Sequence, residues 1–183
     1  AAALAPRLGA LRAEEATTAT PAAPVAVWSP WRAPAGAAKL LTGEADQLAA
    51  NWHQRYSKDP PKWEVDEKGV ASPKGGDATS KQEFGDCYVH VEFWEPVDAA
   101  GKPVGHGNSG VGLQGRYEIQ IVNSYGQKPA ADQCGSLYSQ KAPLVIASKP
   151  AGMWQTFDII YRAPRFDADG KVTEKARATV FQN

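Results

Sequence analysis

The chain has 183 residues, 43% hydrophobic and 22% charged, which suits one globular domain with a tail and is too little for two full-size domains. Lys plus Arg number 20 and Asp plus Glu number 20, so the net charge is zero and the basic excess of a phosphate-tracking nucleic-acid binder is missing. With 17 Gly, 14 Pro and no apolar run near the roughly 20 residues that span a bilayer, a turn-rich β body is favoured over a helical bundle or a membrane-spanning protein.

Along the chain, Leu4, Leu8 and Leu11 fall at i, i+4 and i+7, which fits a short amphipathic helix or a frayed end. Residues 16–36 are rich in Ala, Pro and Thr and cannot build a core, so residues 1–37 are read as an N-terminal arm or linker and 38–183 as the domain. Trp28 and Trp31 are unusual in a linker, because exposed indoles favour docking on the domain or on a neighbouring protein. The start at Ala1 without a Met, and a last strand ending at Asn183, make both ends provisional.

From residue 38 the texture becomes short strands and turns. Lys62 to Ala71 reads as strand, turn at Asp66–Gly69, strand. Cys87 to Trp94 alternates at period two: Cys87, Val89, Val91 and Phe93 share one face, and Tyr88, His90, Glu92 and Trp94 the other. Gly105–Gly110 is a turn-rich loop carrying Asn108. Tyr117, Ile119 and Ile121 oppose Glu118, Gln120 and Val122 in the same way. Thr156 to Arg162 forms a further strand stopped by Pro164, and 176–181 the last one. Strands joined by turns without intervening helices predict an all-β fold, an antiparallel sandwich or jelly roll.

The second face of the 87–94 strand mixes two aromatics with a His and a Glu, and Glu118 and Gln120 offer a similar polar pair. Such surfaces fit sugars, whose C–H faces lie on aromatic rings while their hydroxyls need donors and acceptors; a solvated outer face is the plainer alternative.

Several phrases, in order, resemble the 3-keto-disaccharide hydrolase family, a concanavalin-like jelly-roll domain. Leu41 to Glu44 with Asn51-Trp52 is similar to its opening, and Trp63 to Val70 to its first hairpin. Phe84 to Trp94 is similar to its central strand, and Gly107 to Val111 with Tyr117 to Ile121 to its most recognisable block. Cys134 to Tyr138, Trp154 to Ile159 and Tyr161 to Asp167 complete the resemblance. Asn123 stands where members often have Asp, and the family's closing Leu-Gln-x-His-Gly and Arg-Asn segments do not appear before Asn183. A C-terminally incomplete domain with an open sheet edge is therefore expected, an edge that another chain would need to cover.

The resemblance implies action on glycosides oxidised to a ketone at C3. The carbonyl acidifies the C2 proton, so a base removes it, the aglycone leaves C1, and water adds back. His90, Glu92 and Glu118 are the candidate base and acid. Trp94, Asn108, Gln120, Tyr138 and Arg162 are candidates to hold the sugar, with Arg162 either stabilising an oxyanion or pairing with Asp158. A divalent metal on His90, Glu92 and Glu118 is one alternative, and a metal-free His–Glu pair the other. The Ala/Pro/Thr-rich beginning suits an exported, periplasmic or secreted chain, where Cys87 and Cys134 would form a disulfide worth about 4 kcal/mol; two free thiols are the alternative. The missing closing segment and the Trp-bearing arm also admit a non-catalytic reading, a glycan-binding or structural subunit docked through the arm or the sheet edge.

Overall fold

The computed structural model describes residues 33–44 and 46–183. The Leu4, Leu8 and Leu11 spacing and the Trp28 and Trp31 linker fall outside these residues.

Two antiparallel layers build the domain, as the strand-and-turn pattern predicts. The first contains β5 (Cys87–Trp94), β8 (Trp154–Arg162) and β11 (Arg177–Gln182), in the order β11-β8-β5. Cys87 lies opposite Tyr161, His90 opposite Asp158 and Trp94 opposite Trp154; Arg177 lies opposite Arg162 at the other edge. The second layer is the hairpin of β6 (Ser109–Leu113) and β7 (Tyr117–Ile121). Residues 135–138 extend it on the free side of β7: Tyr138 N–H donates to the Glu118 carbonyl, Gly135 N–H to that of Gln120, and Gln120 N–H to that of Ser136.

Period-two alternation decides what lies between the layers. Phe93, Phe157, Ile159 and Tyr161 from the first meet Leu113, Ile119 and Ile121 from the second, with Cys134 beside them. Phe93 and Phe157 pack ring to ring, with centroids 4.8 Å apart at 48°. The β6–β7 turn is pinned to this core. Gln114 takes a left-handed φ of 51°, uncommon for a residue with a Cβ, and accepts a 2.9 Å hydrogen bond from the Tyr161 hydroxyl.

Small antiparallel strand pairs decorate the sandwich: β1 (Trp52–Gln54) with β4 (Ala78–Ser80), β2 (Trp63–Val65) with β3 (Ala71–Pro73), and β9 (Arg165–Phe166) with β10 (Val172–Glu174). The turns fall where Asp and Gly predict them: Gly69 N–H donates to Asp66 O, and Gly170 N–H to Asp167 O. One short helix, α1 (Asp46–Asn51), leads into β1 and was not foreseen from the spacing of apolar residues; six residues carry too little periodicity to read. Among the described residues, no helix is long and apolar enough to cross a membrane.

Candidate functional site

Because β5 and β7 belong to different layers, their polar residues project to opposite sides of the sandwich. Both strands turn their apolar positions to the shared core, so the intervening positions face away from it and from each other. His90 and Glu92 are therefore not brought to Glu118, and the three-residue cluster expected from the sequence is divided between two surfaces.

The surface on the β6–β7 side gathers four of the predicted residues. Glu118 lies between Gly112 on β6 and Tyr138 on the added strand, and Gln120 between Gly110 and Ser136. The Glu118 side chain is laid across Gly110: a Cβ there would sit 2.6 Å from Glu118 Cγ and collide with the carboxylate. Glycine is thus needed at 110 for the space its missing side chain leaves. Gln120 is only 4% exposed, and its Nε2 donates to Asn108 Oδ1 at 3.1 Å. Gln120 Oε1 is buried with no hydrogen-bond partner among the described residues, an acceptor held on the Glu118 side. Tyr138 is exposed beside them.

Sequence reasoning missed Arg55, Tyr56 and Asp77. They follow β1 and precede β4, and with Gln54, Ser57 and Gly76 they line a depression of about 300 Å³. Arg55 Nη1 lies 2.9 Å from Asp77 Oδ2, and its guanidinium sits 5.4 Å from the centre of the Tyr56 ring. The Asp77 hydrogen bond holds the Arg55 proton more tightly than in a free guanidinium, and the Glu118 charge adds to the effect. No spacing rule marks these residues, because Arg55 and Asp77 meet only through the pairing of β1 with β4.

On the opposite surface, His90 Nδ1 lies 2.7 Å from Asp158 Oδ1, and the Tyr88 hydroxyl donates to the same oxygen. His90 Nε2 is 3.7 Å from Glu92 Oε1. Burial pushes the Asp158 carboxyl upward, but the hydrogen bonds from Tyr88 and His90 outweigh it and hold the group below the usual carboxylate range. Trp94 and Trp154 face each other at the end of this surface. Arg162 is also on this side; it pairs with Glu174 at 3.1 Å rather than with Asp158. Among the described residues, no three His, Cys, Asp or Glu side chains converge as metal ligands. Separation of Glu118 from His90 and Glu92 accounts for this in the set expected from the sequence.

The disulfide is also corrected. Cys87 and Cys134 are free thiols, Cys134 fully buried. Cys87 pairs with Tyr161, whereas Cys134 Sγ is 3.4 Å from Gln182 Nε2, and Gln182 pairs with Phe157 on the same strand. Four residues of strand, roughly 13 Å, separate the two positions, beyond the reach of about 7 Å between bridged Cα atoms. Burial pushes both thiols up.

One perturbed carboxyl belongs to neither surface. Glu95 continues the inward parity of Val91 and Phe93 and is 2% exposed, and among the described residues neither of its oxygens has a hydrogen-bond partner of full geometry. Burial pushes it up to about 7, with the Gln155 amide pulling the other way. A charged residue one step beyond an inward-facing alternation is a signal the sequence does contain.

The architecture and the strand-borne polar surfaces define an antiparallel jelly-roll sandwich of the concanavalin-like class. Residues 36–183 match the model of the 3-keto-alpha-glucoside-1,2-lyase-like domain, and the chain belongs to that family. Among solved structures it is similar to the crystal structure of a candidate glycosyl hydrolase from Parabacteroides distasonis, at 35% identity and a TM-score of 0.64. That match covers 73% of this chain and 57% of the other, so this chain spans a little over half of that protein's length. No curated protein matches.

Proposed function

We propose that this chain cleaves 3-keto-glycosides by elimination across C1 and C2 on the surface that carries Glu118. The observation that carries this reading is the Glu118 carboxylate laid over Gly110, next to the buried Gln120–Asn108 amide pair and exposed Tyr138. Family membership and the similarity to a candidate glycosyl hydrolase support the substrate class.

Glu118 acts as the base. Its carboxylate takes the C2 proton, the C2–H electrons form the enolate of the C3 ketone, and collapse of the enolate expels the C1 oxygen substituent with a C1=C2 double bond. The leaving oxygen takes up a proton, and water adding to C1 returns the 3-keto sugar. Gln120 and Asn108 supply amide groups for sugar hydroxyls, and Tyr138 gives a ring for its C–H face.

The test is turnover of a 3-keto-disaccharide against its unoxidised parent. Cleavage of the first alone is expected. Glu118→Gln should lose about 10²–10⁴-fold in kcat, the usual span for a general base. Glu92→Gln, on the opposite surface, should stay within about threefold of wild type. Loss in the Glu92 variant with retention in the Glu118 variant would overturn the choice of surface.

A further inference from the structure

The loop after β1 is locked by its own hydrogen bonds. Gln54 N–H donates to the Asp59 carbonyl at 2.9 Å, Ser57 N–H to that of Gln54 at 3.2 Å, and Gln54 Nε2 to that of Pro60 at 3.1 Å. Ser57 Oγ donates to the Asp59 carboxylate at 3.0 Å. Ahead of β4, Asp77 holds Arg55 at two points: its carbonyl accepts the Arg55 N–H at 3.1 Å, and its Oδ2 accepts Nη1 at 2.9 Å. Trp63 Nε1 donates to the Gly76 carbonyl at 3.2 Å, which fixes the floor. Gly76 itself is left-handed, with φ 70°, and a Cβ there would meet nothing within 4 Å, so the hollow is open on that side. The depression of about 300 Å³ is thus preformed, and its rim carries Tyr56 at 89% exposed, a ring held in place and left uncovered.

The charges of this hollow select its occupant. Arg55 and Asp77 cancel each other, so an anion would be repelled by Asp77 and a cation by Arg55. An apolar group would cover guanidinium N–H groups and a carboxylate oxygen without giving them partners. The two side chains are 45% and 64% exposed, so both keep hydrogen-bonding capacity beyond their mutual bond. A neutral ligand with two adjacent hydroxyls satisfies both: one oxygen accepts from the guanidinium, and the neighbouring hydroxyl donates to Asp77. The C–H face of the same ligand then lies on the Tyr56 ring, whose centre is 5.4 Å from the guanidinium carbon. A volume of about 300 Å³ is at the small end of ligand sites and matches one sugar ring. We propose that this depression is a binding site for a single neutral pyranose, with Arg55 and Asp77 bridging adjacent hydroxyls and Tyr56 stacking on its C–H face. Glu118, Gln120, Asn108 and Tyr138 are not among the residues that line it, and the assignment stands independently of the elimination reading above.

Ligand titration of the full chain, followed by NMR, tests it. The probes are the methyl glycosides of glucose, galactose and mannose as neutral ligands, glucuronate as the anion and glucosamine as the cation. At least one methyl glycoside should bind, move the Arg55 Nε–H signal and the amides of residues 54–57 and 76–77, and bind more tightly than glucuronate or glucosamine. Tyr56→Ala should weaken that binding by about tenfold, the loss of one ring contact, whereas Tyr56→Phe keeps the ring and should stay within about twofold. Because Tyr56 is exposed, the fold of the Ala variant should be intact, which unchanged amide signals of the core strands verify. Asp77→Asn should weaken the methyl glycoside and strengthen glucuronate, since the guanidinium charge is then uncompensated. Tyr138→Ala should leave the titration unchanged. The assignment is overturned if no methyl glycoside binds at tens of millimolar, or if glucuronate is the tighter ligand of the wild type. Binding that is lost in Tyr138→Ala and kept in Tyr56→Ala would also overturn it, by moving the sugar to the Glu118 surface.

Discussion

The buried carboxyl of Glu95 makes the stability of the fold depend on pH. In the unfolded chain its carboxyl ionises near 4.5, whereas in the fold burial holds it protonated to about 7. The unfolded state therefore releases this proton first as pH rises. The contribution of the neutral carboxyl is complete below about pH 4.5, declines through the window from 4.5 to 7, and is gone above it. The separation of the two values corresponds to about 3 kcal/mol. Glu95→Gln preserves the shape and removes the ionisation, so the variant should match wild type near pH 4.5 and exceed it by about 3 kcal/mol at pH 8. Urea unfolding followed by tryptophan fluorescence reads this directly; with a slope of about 2 kcal/mol/M, the midpoint at pH 8 should rise by about 1–2 M. Equal loss of stability in both proteins between pH 4.5 and 8, or a variant weaker than wild type at pH 8, would refute the burial argument.

Other consequences are accessible with single substitutions. Gly110→Ala should leave the fold intact, since the backbone there suits any residue, but displace the Glu118 carboxylate and lower turnover by about 10²-fold. Gly112→Ala, where a Cβ meets nothing within 4 Å, is the control for fold in the same unfolding assay. Phe157→Ala removes a fully buried ring packed at a tilt against Phe93 and should cost about 3–5 kcal/mol in calorimetry. Denatured protein without reductant should react with two equivalents of a thiol reagent, one each for Cys87 and Cys134; no reaction would restore the bridge.

The long strands were legible because alternation is a local property. Cys87–Trp94 was read to the residue, and the strands around Ile119 and Phe157 were displaced by at most two positions at their ends. The Asp66–Gly69 turn was legible because the Asp side chain bonds its own backbone, and Asp167 acts in the same way at the turn to Gly170. Alternation distinguishes the two faces of one strand, but it cannot tell which layer a strand joins. His90 with Glu92, and Glu118 with Gln120, look alike along the chain, and only the assignment of β5 and β7 to different layers separates them. The disulfide expectation came from the export-like composition of the N-terminal arm, which says nothing of where Cys87 and Cys134 lie in space. Arg55 and Asp77 are invisible for a related reason, since their meeting depends on the pairing of two three-residue strands, β1 and β4, with another hairpin between them in the chain. Tyr138 and Gln120, by contrast, come together because a short Gly-flanked segment pairs with β7.

The core of Ile119, Phe157 and Ile159 separates two polar surfaces by the thickness of a sandwich, roughly 10 Å between layers. Groups that far apart with no shared partner contribute almost independently, so paired substitutions at Glu118 and Asp158 should add to within about 0.5 kcal/mol. The two surfaces are in that sense separable inheritances on one scaffold. A lineage can alter the Tyr88–Asp158–His90 side without disturbing the surface that carries Glu118, or change that surface and keep the other side unchanged.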